Sequence, residues 1–390
     1  MTTSHSTKRI LVVGREVGPI VQLIKEKKPE ISIGAVDILG NQETRLYTDW
    51  KFSIEKQSPD TLIQRSKHRS IVDLLFELTL VMLEELEFDL LIPLSPLQTK
   101  PKYIDELSRE LEIFAPSYKI LEQATSAFVF LTNISLSIPE LMPSSLFTSD
   151  LSNVMTYPAI FVSPNGLSHI PSEESIISLE SSNLSGFLLP ISQIHCTFFF
   201  SMSHDTRFFG LQTLSDPHEH AFFPNNLEKN GIIPFSTSNF THKRIISYLS
   251  RLIIKLGIVG MGTIYFGLSK DSIFPVSCNV LPDENLAFWE KKTSSSLVPF
   301  LLNEKSNHIP QFNTPVSAFK IPIYSYRSIR VPPLSGSLCT QRNLPGVISH
   351  PEYPLCAVSA KSSSFSSAHK ILKQKKKEIL KVLHPEDKLY

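Results

Sequence analysis

The sequence predicts a chain of mixed class, an α/β domain followed by α+β structure, and three stretches carry that prediction. Lys8 to Asp37 alternates the patterns of a buried strand, a helix and a second strand. From Glu122 the character shifts to short strands separated by connections rich in proline and serine. Tyr248 to Pro282 then runs a helical pattern into an extended hairpin, punctuated by Gly257, Gly260 and Gly262.

Lys8 to Gly14, KRILVVG, is an unbroken apolar run closed by glycine, as expected of a strand buried on both faces of a parallel sheet. Ile20, Leu23 and Ile24 follow at helical spacing, and Ile31 to Asp37 is a strand that ends in an acid. Such an opening predicts a doubly wound, Rossmann-like start. Gly14 and Gly18 make only half of a dinucleotide fingerprint, so Asp37 reads more plainly as a strand-end acid capping a loop than as a ribose ligand. Gly14, Arg15 and Asp37 are the candidate residues of a strand-end cleft for a small molecule. Ile71, Leu74, Leu75, Leu78, Val81 and Met82 mark the stripe of a long helix; Phe88 to Leu94 is another buried strand, and Lys102 to Phe114 another helix.

In the middle of the chain a helical segment through Phe128, Phe130 and Leu131 ends before Pro139. Tyr157 to Pro164 is a short strand, Ser168 to Ser185 reads as a mobile or shortened lobe, and Gly186 to Leu189 resumes apolar structure. Ile194 to Met202 and Arg207 to Leu214 are expected as two antiparallel strands. Asp216, His218, Glu219 and His220 carry metal-binding chemistry, but no further ligand accompanies them and solvated loop histidines are the simpler reading. Leu252, Ile253, Leu256 and Val259 then give a helix, and Thr263 to Leu268 and Ile273 to Val280 a hairpin about Ser269 to Ser272. Leu286 to Leu302 is expected helical, Val316 to Tyr326 and Arg330 to Val331 extended, and Gly346 to Val358 a strand pair about a proline turn. Ser366 or Ser367 caps a final helix with Ala368, Ile371, Leu372, Ile379 and Leu383 on one face. Its lysines, Lys370, Lys373, Lys375, Lys376, Lys377 and Lys381, read as a solubilising face. The expected divisions are an α/β domain over 1–115, a helical linker and small strand lobe over 116–190, a larger lobe over 191–305 with the hairpin at 263–280, and terminal strands and helix over 306–390.

With 38 basic against 37 acidic residues, net +1, no global field draws nucleic acid or a membrane surface, and neither is expected as a partner. The four cysteines, Cys196, Cys278, Cys339 and Cys356, show no CxxC spacing, which disfavours a zinc site and suits a reducing, cytoplasmic setting. Fourteen glycines beside 28 prolines leave little material for loops that bind phosphate through bare backbone.

Several short stretches, in this order, carry a likeness. Ala35 to Trp50 holds Asp37, Gly40, Arg45, Tyr47 and Asp49; Asn230 to Pro234 reads NGIIP; Leu344-Pro345-Gly346 precedes Tyr353-Pro354-Leu355-Cys356-Ala357-Val358. Together with the helix and hairpin at Tyr248 to Pro282 they resemble the ATP-grasp superfamily, and within it the predicted ATP-dependent carboligases related to biotin carboxylase. The resemblance implies a Rossmann-like pre-ATP-grasp domain ahead of an ATP-grasp fold. It implies ATP and Mg²⁺ as cofactors, a carboxylate activated as an acyl phosphate, and a small-molecule carboxylate or amine as partner. Ser163 then falls where a nucleotide-binding lysine is expected, Ser126 near an earlier one, and Leu188 and Leu189 at the adenine side. Tyr265 and Ser277 fall at the two metal carboxylates and Leu281 at an arginine, and Asn279 alone is kept as a metal ligand. Two functions follow as expectations: a ligase-like protein whose ATP and metal handling is weakened or lost, or a non-catalytic pseudoenzyme that partners an active paralogue.

Overall fold

Five buried residues from Ile10 to Gly14 place the first strand, Arg9–Gly14, at the centre of a parallel sheet, because a run without polar alternation is stable only when both faces are covered. The computed structural model describes residues 8–383 except 39, 54–69, 143–146, 149–158, 165, 171–185, 203–204, 216–230, 270–271, 284, 291, 294, 305–316, 326 and 350–353. Two units emerge, one formed by 1–115 with 281–390 and the other by 116–280.

In the first unit β1 (Arg9–Gly14), α1 (Gly18–Lys27), β2 (Ser32–Asp37), α2 (Gln42–Tyr47), β3 (Trp50–Ser53), α3 (Ile71–Glu85), β4 (Leu90–Pro93), α4 (Pro101–Leu107) and β5 (Glu112–Ile113) build a five-stranded parallel sheet of order β3-β2-β1-β4-β5. The strand order reverses beside β1, the position at which doubly wound sheets open a crevice at their carboxyl ends. A capping box, Ser70 with Asp73, starts α3, and Lys100 and Tyr103 also bind the Asp73 carboxylate and hold it well below the usual range. The helix expected over Lys102 to Phe114 ends at Leu107, because Glu112–Ile113 is taken as a fifth strand beside β4.

The second unit begins with α5 (Tyr118–Gln123) and α6 (Ala127–Ser137), followed by a small sheet of order β6-β9-β7-β8. Its strands are β6 (Phe147–Thr148), β7 (Ala159–Ser163), β8 (Gly166–Ile170) and β9 (Gly186–Leu189). Of the lobe expected over Ser168 to Ser185, all beyond Ile170 lies outside the described residues, as do Asp216 to His220. β10 (Ile194–Met202) is flanked on one edge by two short strands rather than one long one, β11 (Asp205–Phe208) and β12 (Gln212–Ser215). Gly210, at φ 81°, takes the turn between them, which breaks the strand read as Arg207 to Leu214. β13 (Gly231–Pro234), α7 (Asn239–Lys255), β14 (Gly260–Ser269) and β15 (Ser272–Asn279) complete the unit, with strand order β15-β14-β10-β12-β13. Ser238 caps α7, so that helix starts well ahead of the stripe read from Leu252.

The chain returns to the first unit through α8 (Leu286–Glu290) and α9 (Val298–Leu301) in place of one helix from Leu286 to Leu302. The Glu290 carboxylate accepts from Ser296 Oγ and Leu297 N, tying the end of the first helix to the start of the second. β16 (Ser317–Tyr324), β17 (Ile329–Arg330), β18 (Ile348–Ser349), β19 (Pro354–Ser362) and α10 (Phe365–Leu383) follow. The strand pair expected within Gly346 to Val358 does not pair internally: β18 pairs β17, and β19 pairs β16. Ser364, not Ser366 or Ser367, caps α10, its Oγ accepting from Ser367 N. The buried face of α10 is Ala368, Leu372, Ile379 and Leu383, while Ile371 is exposed. Among the described residues no helix is long and apolar enough to cross a membrane.

Candidate functional site

The hairpin of β14 and β15 fixes which side chains share a face. Thr263 stands opposite Asn279 and Tyr265 opposite Ser277; on the neighbouring strand Phe198 and Cys196 stand opposite Thr263 and Tyr265, and Gln212 opposite Cys196. These residues form one polar but uncharged patch. Neither β14, β15, β10 nor β12 contributes a carboxylate or a basic group to it. A register shift next to Tyr265 puts the turn-side part of the hairpin out of step, so the alignment of Tyr265, Ser277 and Asn279 is local to its open end.

Burial closes this face further. Tyr265 is 2% exposed and among the largest fully buried side chains, Thr263 is 3% and Asn279 9% exposed. Gly262 lets the strands approach: a Cβ there would lie 2.0 Å from the Asn279 carbonyl oxygen. Gln212 Oε1 is buried with no hydrogen-bond donor among the described residues. Cys278 points to the other face, where complete burial pushes its thiol far up and leaves it inert.

The residues expected on the nucleotide side sit on the small sheet. Ser163 ends β7, and Leu188 and Leu189 pair with Phe161 and Ile160. Alternation puts Ser163 and Leu188 on one face and Leu189 on the other, and all three are buried. Helix α6 packs on β15 and on β7, β8 and β9, joining the two sheets of this unit, and Ser126 is its N-cap, accepting from Val129 N. Of the acids near the hairpin in sequence, Asp283 and Glu290 are engaged locally, Asp283 by Asn285 N, and Asp271 and Glu284 lie outside the described residues.

A second constellation lies in the other unit, at the carboxyl ends of β1 and β2. Gly14 is packed against Leu94, where a Cβ would meet that side chain at 2.5 Å. Asp37 is fully buried; its Oδ1 accepts from Glu16 N at 3.0 Å and its Oδ2 from Thr44 Oγ1 at 2.6 Å. It therefore holds the loop after β1 rather than reaching outward. Arg15 is partly exposed and only 3.9 Å from the Glu16 carboxylate. Glu16 adopts φ 56° and Gln341 φ 53°, left-handed conformations that side chains rarely take, and the two are hydrogen-bonded to each other at 2.9 Å. Next to them Arg342 donates from Nε and from its backbone N to the Glu43 carboxylate, at 2.7 and 3.0 Å. Asn41 Oδ1 caps α2 through Thr44 N, while its buried Nδ2 makes no hydrogen bond among the described residues. Sequence reasoning found Gly14, Arg15 and Asp37 but missed Glu16, Asn41, Gln341 and Arg342. The last two are more than 300 positions away from the first loop, and a left-handed backbone at Glu or Gln has no signature in sequence.

No protein-family model matches the sequence, and no curated protein is similar to it in sequence. Solved structures are similar over nearly the whole chain. They include the Campylobacter jejuni biotin carboxylase with β,γ-ATP (12% identity, 98% of this chain and 91% of that one, TM-score 0.68) and the Bacillus licheniformis L-amino acid ligase (12%, 96% and 98%, 0.68). Another is the biotin carboxylase domain of the Hydrogenobacter thermophilus 2-oxoglutarate carboxylase, a dimer with MgADP, ADP and bicarbonate (13%, 95% and 90%, 0.67). These are ATP-grasp enzymes, and this chain has the ATP-grasp fold.

Proposed function

We propose that this ATP-grasp-fold protein has lost or greatly weakened metal-dependent ATP handling, and that it works by binding a small molecule at the strand-end loops of its N-terminal sheet. The carrying observation is the hairpin face made of Thr263, Tyr265, Ser277, Asn279 and Gln212. Mg²⁺ keeps near-octahedral oxygen coordination and in phosphoryl-transfer sites is held by carboxylates together with the phosphates. Neutral hydroxyl and amide oxygens without a carboxylate do not fit that ion, and the buried Tyr265 ring fills the space beside them. No basic side chain on the same strands balances a triphosphate. Each missing electrostatic partner of a transition state costs about 3–4 kcal/mol, a factor of 10²–10³ in rate.

The strand-end loops supply what the hairpin lacks. Arg15 offers a partly exposed guanidinium suited to a carboxylate and Glu16 an acid suited to an amine; Asp37 and Gln341 hold Glu16, and Arg15 lies beside the Glu16 carboxylate. A small carboxylate or amine, the substrate chemistry of a ligase fold, is the ligand class these groups fit. Ligand-observed NMR against a panel of small carboxylates and amines tests the reading. Binding without nucleotide or metal is expected, weakened roughly tenfold or more by Arg15→Ala, the order of a charge-assisted hydrogen bond. Binding that appears only when Mg–ATP is added would overturn it.

A further inference from the structure

We propose that the outward face of α10 is a docking surface for an anionic lipid membrane, on which the protein lies peripherally. α10 rests on β16 and β19 through Ala368, Leu372, Ile379 and Leu383. On the opposite side Lys370, Lys373, Lys377 and Lys381 recur at i, i+3, i+7 and i+11, which stacks them into one ridge, and all four are exposed. Among the described residues none of the four takes part in a hydrogen bond or an ion pair. Glu378, the one acid of the helix, is taken up by Gln374 Nε2 at 3.1 Å. Lys375, by contrast, turns its Nζ back to the Ser359 carbonyl oxygen at 3.2 Å.

Such a ridge does little for the chain itself. Lys370 with Lys373, Lys373 with Lys377, and Lys377 with Lys381 are like-charged helical neighbours, an arrangement that disfavours a helix. Only Lys381 stands in the last turn, where the helix dipole favours a cation. A face that serves solubility alone mixes its signs, whereas α10 sets six lysines against one glutamate. The net charge of +1, from which no membrane partner is expected, conceals this local excess. Attraction therefore acts at close range, within about 10 Å of the ridge at ordinary salt.

The side chains favour lipid over nucleic acid. A run of lysines on an amphipathic helix suits anionic headgroups, whereas nucleic-acid recognition draws on arginine forks and stacking aromatic rings. α10 contains no arginine, and its aromatic residues, Phe365 and His369, are packed against Phe319. Ile371 and Val382 are exposed and share one flank of the ridge, where they offer apolar contact at the membrane interface.

Co-sedimentation of the full-length chain with vesicles tests the proposal. The vesicles are phosphatidylcholine alone, or about three parts phosphatidylcholine to one of phosphatidylserine, at roughly 0.1 M salt. Binding to the anionic vesicles alone is expected, and its loss when salt is raised to about 0.5 M. Combining Lys370→Gln, Lys373→Gln, Lys377→Gln and Lys381→Gln should weaken binding by roughly fivefold for each lysine removed. Combining Lys27→Gln, Lys102→Gln, Lys119→Gln and Lys243→Gln, at exposed lysines off this helix, changes net charge equally and should leave binding within about twofold. The proposal fails if the chain stays in solution beside anionic vesicles, or if both sets of substitutions weaken binding alike. It fails also if a DNA duplex at equal phosphate concentration strips the protein from the vesicles, because nucleic acid is then the better partner.

Discussion

Glu43 and Arg342 show what a single residue contributes when its partner is far away in sequence. Their side chains are 2% and 14% exposed, and the guanidinium binds the carboxylate directly. Removing Arg342 strands a buried carboxylate, so Arg342→Ala is expected to destabilise the fold by about 3 kcal/mol or more, measured by urea unfolding. Glu43→Gln with Arg342→Met together should cost less than Arg342→Ala alone, because no charge is then left buried. His195 gives a pH signature. It is 4% exposed, bonded to Thr213 Oγ1 and packed on Phe235, and burial lowers its pKa from 6.5 to about 4. The folded state therefore holds it neutral while the unfolded chain binds a proton between those values. Stability is complete above pH 6.5 and falls as pH drops toward 4, by about 3 kcal/mol from this group. Unfolding midpoints at pH 7 and pH 4.5 measure it, and His195→Phe should lessen the difference. Neither pair was legible in the sequence: Glu43 drew no reading of its own, and His195 was one residue of the strand Ile194 to Met202, because a partner across space leaves no local pattern.

At the scale of elements, periodicity read the strands and helices with strong patterns and failed where turns or caps decide. β1, β2, α3 and the hairpin follow directly from apolar runs, a helical stripe and a polar turn. The split between β11 and β12 depends on Gly210 at positive φ, and the pairing of β18 with β17 depends on chain direction that local sequence does not encode. The cap of α10 separates the two readings experimentally. Ser364→Ala is expected to cost about 1 kcal/mol and Ser366→Ala close to nothing, measured by thermal unfolding. In β14, Gly262→Ala must push the Asn279 carbonyl away from 2.0 Å; a loss of about 1–3 kcal/mol, that of overpacking a core, is expected by urea unfolding.

For the whole molecule, the fold is shared with known ligases while the chemistry is proposed to differ. At 12% identity the architecture of biotin carboxylase and L-amino acid ligase is retained over nearly the full chain. Order of elements, a parallel sheet with its crevice beside β1, and a helix feeding a hairpin were legible because they rest on hydrophobic patterning. The candidate residues read from sequence lie close together along the chain, Gly14, Arg15 and Asp37 at the strand ends and Tyr265, Ser277 and Asn279 on the hairpin, and those missed include Gln341 and Arg342, which come from the far end of the chain to meet Glu16 and Glu43. The uncharged hairpin face is the observation on which the proposed loss of ATP and metal handling rests. Calorimetric titration with ATP, with and without Mg²⁺, tests that loss most directly. No saturable binding tighter than the millimolar range and no dependence on the metal are expected, in wild type and Asn279→Ala alike; Mg²⁺-dependent binding in the micromolar range, abolished by Asn279→Ala, would overturn the proposed loss of ATP handling.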